Sequence, residues 1–345
     1  MQIDISPLKK RIIIFLFCLA IIALAANVII DKIFNDSDSA VVRGLDANSV
    51  NKEFLNDLNK FGLKSDWIVK VNNKISKGIP SYNVELPKDL PIPVVLSEVY
   101  ASFYSPDIKI KSLEKTIGGK TELQIYLQNT LKLRAEFNYG NDIRRDAGNL
   151  GIIVFGLEQL NAKDLTAMIE FPQTFITALI PSKSAVKLIP DIIDNRKEYA
   201  ILINDKISDL DYRLNNDFSL YRLKLIIRSI IGTFPDAVFF IIDDHSSLYS
   251  SSSGKIICDE FTKRNIKLIK ESLLPEILND SRNEQIGLFR NNVEKIHFGS
   301  SKLISIRAED FRIIKPEIFS LIKVGYKFIS PSVIIAADYK NYYPN

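Results

Sequence analysis

Between Gly151 and Ile329 the chain alternates short, unbroken apolar runs with longer stretches of helical periodicity, and no other feature narrows its possible folds as far. The apolar runs are Gly151–Phe155, Phe175–Ile180, Tyr199–Ile203, Ala237–Ile242, Ile266–Ile269, Leu303–Ile306 and Lys327–Ile329. Helical stretches fall at Ala162–Glu170, Lys183–Asn195, Ser219–Phe234, Lys255–Arg264 and Pro316–Gly325. A strand that is apolar on both faces must be covered on both, and intervening helices do this. The pattern predicts a parallel sheet, as a barrel or as an open sheet, with chemistry expected at the carboxyl ends of the strands.

One of those ends stands out. Phe239-Phe-Ile-Ile-Asp-Asp-His245 carries an apolar strand into two carboxylates and one of only two histidines in the chain. If strand geometry persists, side chains alternate, so that Asp243 and His245 face one way and Asp244 the other. Asp243, Asp244 and His245 are therefore the candidate catalytic residues. The competing reading is that the strand stops at an Asp-Asp-His-Ser-Ser turn whose polar groups cap the backbone. The serines at 250–253, followed by Gly254, have the composition of a solvated loop rather than of a set of nucleophiles.

The N-terminus carries a second strong signal. Lys9, Lys10 and Arg11 precede an uncharged run, Ile12 to Ile30, whose only strongly polar member is Asn27. Nineteen residues at about 1.5 Å each approach the roughly 30 Å of a hydrocarbon core. The basic cluster predicts that this end stays cytoplasmic, so that everything from Asp31 onward is exported. A cleavable signal is the competing reading, because Ala23-Leu24-Ala25 resembles a cleavage site; Val28, Ile29 and Ile30 prolong the run past it and favour a retained anchor. Residues 1–34 are thus expected to form a cytoplasmic tip and transmembrane helix. Cys18 lies inside the run and Cys258 stands alone beyond it, which leaves the exported part no disulfide.

Residues 44–139 have another texture. Ser49 reads as an N-cap, with Phe54, Leu55, Leu58, Phe61 and Leu63 as a helical stripe ending near Gly62. Strands are predicted at Trp67–Val71, Tyr82–Leu86, Ile108–Leu113, Thr121–Leu127 and Leu131–Phe137, with a helix at Ile92–Phe103. The alternation from Glu122 to Leu127 suits a sheet with one wet face, so this is a small α+β module. A polar stretch, Tyr139–Asn149, separates it from the α/β pattern. The charge, 45 basic against 41 acidic residues, is spread along the chain and does not point to nucleic acid.

The α/β region resembles a known family. Gly151-Ile-Ile-Val, Phe175-Ile-Thr-Ala-Leu-Ile-Pro181, Glu198-Tyr-Ala-Ile-Leu-Ile203, Phe240-Ile-Ile-Asp-Asp-His-Ser-Ser247, Asn265-Ile-Lys-Leu-Ile269 and Val324-Gly-Tyr-Lys-Phe-Ile-Ser-Pro-Ser332 follow one another as in the divergent polysaccharide deacetylases. The resemblance covers residues 149–335. It implies a distorted (β/α) barrel, exported across the inner membrane of bacteria and similar to metal-dependent carbohydrate deacetylases.

The departures bear on chemistry. Where the family's first strand ends in an Asp pair, this chain has Phe155 and Gly156. Ile203, Asn204 and Asp205 stand where a His and a Pro-Met-Glu segment follow the third strand. Lys270 and Glu271 replace an Asp-Ser, and Arg307 and Ala308 replace a His-Pro. His245 alone carries over. Deacetylation of this kind needs a divalent ion, usually held by one carboxylate and two imidazoles, and His297 would have to converge on His245 to complete such a set. No G-x-S-x-G, H-E-x-x-H, Walker or C-x-x-C motif offers another chemistry. Arg307, Lys270 and Glu271 read first as surface ion pairs and second as groups that bind sugar carboxylates.

The expectation is an inner-membrane, single-pass protein with its bulk in the periplasm, its metal positions lost and no cofactor. Polysaccharide or peptidoglycan is its expected partner, with protein partners unassigned. The alternative is a working hydrolase with an altered site around Asp243, Asp244 and His245.

Overall fold

The computed structural model describes residues 46–71, 78–275, 282–338 and 342. The expected anchor, Ile12 to Ile30, lies outside them. Among the described residues no helix is long and apolar enough to cross a membrane. Packing divides the chain into two units: residues 58–67, 85–91 and 139–345 cluster as one, and the remainder as the other.

The smaller unit holds most of helix α1 (Ala47–Asn59), helix α2 (Ile92–Ser102) and five strands, β1 (Ile68–Lys70), β2 (Ser81–Leu86), β3 (Ile108–Glu114), β4 (Thr121–Leu127) and β5 (Thr130–Tyr139). The sheet order is β1-β2-β5-β4-β3, with β1/β2, β3/β4 and β4/β5 antiparallel. The alternation of β4 shows in part in its burial: Leu123 and Ile125 are sealed and Gln124 and Tyr126 half-buried, but Glu122 on the expected wet face is buried and paired with Lys115 and Arg134. Phe54 packs its ring against Tyr82 and Phe137. The helix cap is not Ser49. Asp46 accepts both the amide and the hydroxyl of Ser49 at 2.8 Å, so the carboxylate one turn earlier satisfies the free helix amides.

The larger unit is built on seven strands: β6 (Asn149–Phe155), β7 (Ile176–Leu179), β8 (Glu198–Ile203), β9 (Phe240–Ile242), β10 (Leu268–Lys270), β11 (Ser301–Arg307) and β12 (Lys327–Phe328). The order is β10-β9-β8-β7-β6-β11, each of these pairings is parallel, and β12 also pairs with β6. β11 runs the full length of one edge of β6, so β7 and β12 share the other. The sheet is a curled half-barrel. Among the described residues no strand joins β10 to β11; instead the Ser305 amide and hydroxyl both donate to the Pro275 carbonyl, at 2.7 and 3.0 Å.

Two apolar layers follow from strand alternation. Ile153, Ala178, Leu202, Ile241 and Ile269 face inward and meet Ile334 and Ile335 of helix α9 (Pro331–Ala337). Ile152, Val154, Ile201, Ile203 and Ile242 face outward. They are covered by helices α3 (Ala162–Ile169), α4 (Lys183–Asp194), α5 (Leu220–Thr233), α6 (Ser252–Lys263), α7 (Arg282–Val293) and α8 (Phe311–Val324). Sequence explains where these begin: Asn161, Ser182, Ser219, Ser251 and Ser330 each accept a hydrogen bond from an amide in the first turn of the following helix. The serine run expected to be a loop is therefore partly helical, with Ser251 as cap and Ser253 buried.

The Tyr139–Asn149 stretch is fastened within the larger unit. Arg145, 9% exposed, donates to Asp89 at 2.7 Å and to the Lys323 carbonyl at 2.6 Å. Asp146 accepts the Phe298 amide and lies 3.4 Å from His297.

Candidate functional site

The carboxyl ends of β6, β8, β9, β10 and β11 converge on a cavity of about 380 Å³. Its apolar floor is Ala178, Ile180 and Leu202, the upper inward positions of β7 and β8 together with the residue after β7. Around the rim stand Phe155, Asn204, Asp243, Glu271 and Arg307, each the last residue of its strand or the next one along. Gly156 turns the chain away after Phe155 with φ of 77°, a left-handed conformation that favours glycine.

Asn204 is 4% exposed. Its Oδ1 accepts the Lys206 amide at 3.0 Å, which bends the chain as β8 ends. Arg307 is held in place by acids on the turn that follows β11: its Nε donates to Asp310 at 2.9 Å, and Nη1 lies 3.2 Å from Glu309. The ion-pair reading of Arg307 thus holds, and the same side chain lines the cavity.

Of the three residues singled out in the sequence, only Asp243 reaches this cavity. Strand geometry ends at Ile242, so the alternation expected to bring His245 beside Asp243 does not operate. Asp243 Oδ1 accepts the His245 amide at 3.0 Å, and the Ser246 hydroxyl donates to the Asp243 carbonyl at 2.6 Å. These short-range bonds fold the segment into the capping turn of the competing reading. His245 is exposed. Asp244 points elsewhere, accepting the amide and hydroxyl of Ser272 at 3.0 and 2.5 Å. Burial works against its charge, but those two bonds outweigh it and hold its pKa below the ordinary value. Asp244 ties the turn after β9 to the turn after β10.

A divalent ion is a poor fit for this rim. Phe155 and Gly156 offer no side-chain donor, the Asn204 carbonyl oxygen is engaged, and a guanidinium stands at Arg307. His297 precedes β11 and so lies toward the opposite, amino-terminal end of the barrel, paired with Asp146. Among the described residues no three His, Cys, Asp or Glu side chains gather where they could hold a metal.

Phe155, Asn204, Glu271 and Arg307 are legible in the sequence as strand ends, whereas Gln159, Leu160, Lys206 and Glu309 carry no such mark. The signal that could have found them is position: each sits in the loop that directly follows a strand. A second cavity, of about 670 Å³, shares Gln159, Leu160, Ala308 and Glu309 with the first and extends along α3 and the start of α8.

No protein-family model matches the sequence, and no curated protein matches it either. Solved structures similar to the chain include carbohydrate esterases of family 4. The Xyl-CE4 domain of a multidomain xylanase from the hindgut metagenome of Trinervitermes trinervoides is 12% identical with a TM-score of 0.37, over 56% of this chain and 92% of that one. A family 4 carbohydrate esterase from Streptomyces lividans is 9% identical with a TM-score of 0.36, over 54% and 93%. A CE4 family pseudoenzyme from Bacillus anthracis is 10% identical with a TM-score of 0.37, over 63% and 85%.

Proposed function

We propose that this chain is a membrane-anchored, extracytoplasmic protein with a divergent polysaccharide-deacetylase-like domain, in which the metal site is lost and the barrel mouth binds carbohydrate of the cell envelope. One observation carries the reading. The strand ends converge on a cavity whose rim carries Asp243, Glu271 and Glu309, yet Phe155, Gly156, Asn204 and Arg307 stand where the resemblance would put metal ligands, and no histidine joins the carboxylates there. A concave site with an apolar floor and a few fixed polar groups suits a sugar ring, which has a C–H face and a hydroxyl edge. The anchor and the periplasmic placement rest on the basic cluster and the apolar run that follows it.

The test is made on the purified full-length protein in detergent. Elemental mass spectrometry is expected to find no stoichiometric zinc, and acetylated amino-sugar polymers are expected to release no acetate above a no-protein control. One zinc per chain together with acetate release that Asp243→Ala abolishes would overturn the proposal in favour of a hydrolase.

A further inference from the structure

Helices α3 and α8 flank the second cavity, of about 670 Å³, and the charges that line it are unequally engaged. Its two acids are occupied within their own turns. Asp164 Oδ2 accepts Asn161 Nδ2 at 2.7 Å, and Glu309 lies 3.2 Å from Arg307 Nη1. Its two cations, Arg312 and Lys315, form no ion pair among the described residues. They stand three positions apart on α8, so both project from one side of that helix. Lys315 is also held in place: its Nζ lies 5.5 Å from the centre of the Phe171 ring, which packs edge-on against Phe311 and Phe319. An ammonium fixed over an aromatic cluster loses little freedom when an anion arrives. Between the charges the wall is apolar, with Leu160, Ala167, Met168 and Phe311. Gln159, Leu160, Ala308 and Glu309 line this cavity and the mouth cavity alike, so one extended ligand can occupy both.

We propose that the second cavity takes a carboxylate carried by the same glycan whose neutral ring sits in the mouth, and that the ligand is therefore an acidic saccharide; this rests on the carbohydrate-binding reading above. The Arg312 guanidinium offers the carboxylate two parallel N–H groups, and Lys315 adds a point charge beside it. The C–H face of the acidic unit lies on Leu160 and Phe311. Recognition of a sugar carboxylate, expected from the sequence at Arg307 among others, thus moves to the helix that follows, because Asp310 and Glu309 already engage Arg307. A neutral glycan would leave both cations of the second cavity without a counter-charge, and so gains nothing from them.

Calorimetric titration of the full-length protein in detergent at about pH 7, where a sugar carboxylate is ionised, tests this with two tetramers of the same linkage, one of glucuronic acid and one of glucose, and with glucuronic acid alone. The uronate tetramer is expected to bind about tenfold more tightly than the glucose tetramer, and the preference should shrink as salt is raised. Arg312→Gln and Lys315→Gln combined should abolish the preference with the glucose tetramer's affinity and the melting temperature unchanged. Lys187→Gln, which removes an exposed charge on α4 outside both cavities, should leave it intact. Equal binding of the two tetramers overturns this inference and leaves carbohydrate binding standing. A preference that survives the double substitution, or that Lys187→Gln also removes, overturns its assignment to this cavity. Glucuronic acid bound as tightly as its tetramer overturns the connection to the mouth. Binding of neither tetramer overturns both readings.

Discussion

Glu158 shows at residue scale what burial does to a group without a counter-charge. It sits on the short turn after β6, Leu157–Gln159, and both its carboxylate oxygens are buried without a hydrogen-bond partner among the described residues. Burial pushes its pKa up; the nearby amides of Glu158 itself and Ile180 favour the anion without closing a hydrogen bond, and offset only part of the shift. A carboxyl with a raised folded-state pKa favours folding most below its unfolded pKa, and that contribution is lost as pH rises through the folded value. Glu158→Gln, which keeps the shape and removes the charge, is therefore expected to stabilise the protein near neutral pH by about 1 kcal/mol and to flatten stability between about pH 4 and 7. Urea unfolding at both ends of that range checks it, and a loss of stability at neutral pH would refute the assignment. Nothing in the sequence marks Glu158, because an orphaned carboxylate is a property of its surroundings. The candidate site divides in the same way. Asp243 at the mouth is legible from an apolar strand ending in a carboxylate. The displacement of His245 is legible only as the competing turn reading, because the choice between turn and strand is made by two hydrogen bonds over three residues.

At the scale of elements the strands and helices of the barrel are legible almost throughout, because buried parallel strands and capped amphipathic helices write their periods into composition. The misses have physical reasons. Helix α7 is polar, and its buried positions Gln285, Phe289 and Val293 include only two hydrophobic ones. Helix α9 is short and begins with a proline, so its role in filling the barrel interior depends on tertiary contact. The serine run reads as a loop because serine favours both loops and N-caps. Gly254 in that helix gives a sharp test. A Cβ there would lie 2.1 Å from the backbone carbonyl oxygen of Tyr249, in the turn that leads into α6, so backbone rather than a flexible side chain would have to shift. Gly254→Ala is expected to cost about 3 kcal/mol and to lower the melting temperature, whereas Gly232→Ala, where a Cβ meets nothing within 4 Å, should be neutral or mildly stabilising. Equal melting temperatures for the two variants would show that the approach of Tyr249 is relieved at little cost.

For the whole molecule, the proposed topology keeps residues 1–11 inside and places everything from Asp31 onward outside the cytoplasm. A reporter enzyme active only in the cytoplasm, fused after Asn345, is expected to be silent, and a strong signal would reverse the orientation. Such a route bears on how β6 is completed. Asn149 opens the strand and pairs with Ser301 and with Lys327, so the two neighbours that flank its start come from sequence more than 150 positions downstream. Contacts this distant make for slow assembly, because the intervening loop must close before any of them form. Until residues near 327 have emerged, the start of β6 exposes an unpaired backbone edge that another chain could pair with. On any route of synthesis, chains cut short before Ser301 are expected to be cleared by proteolysis rather than persist as half-barrels, which pulse-chase of truncated chains would show.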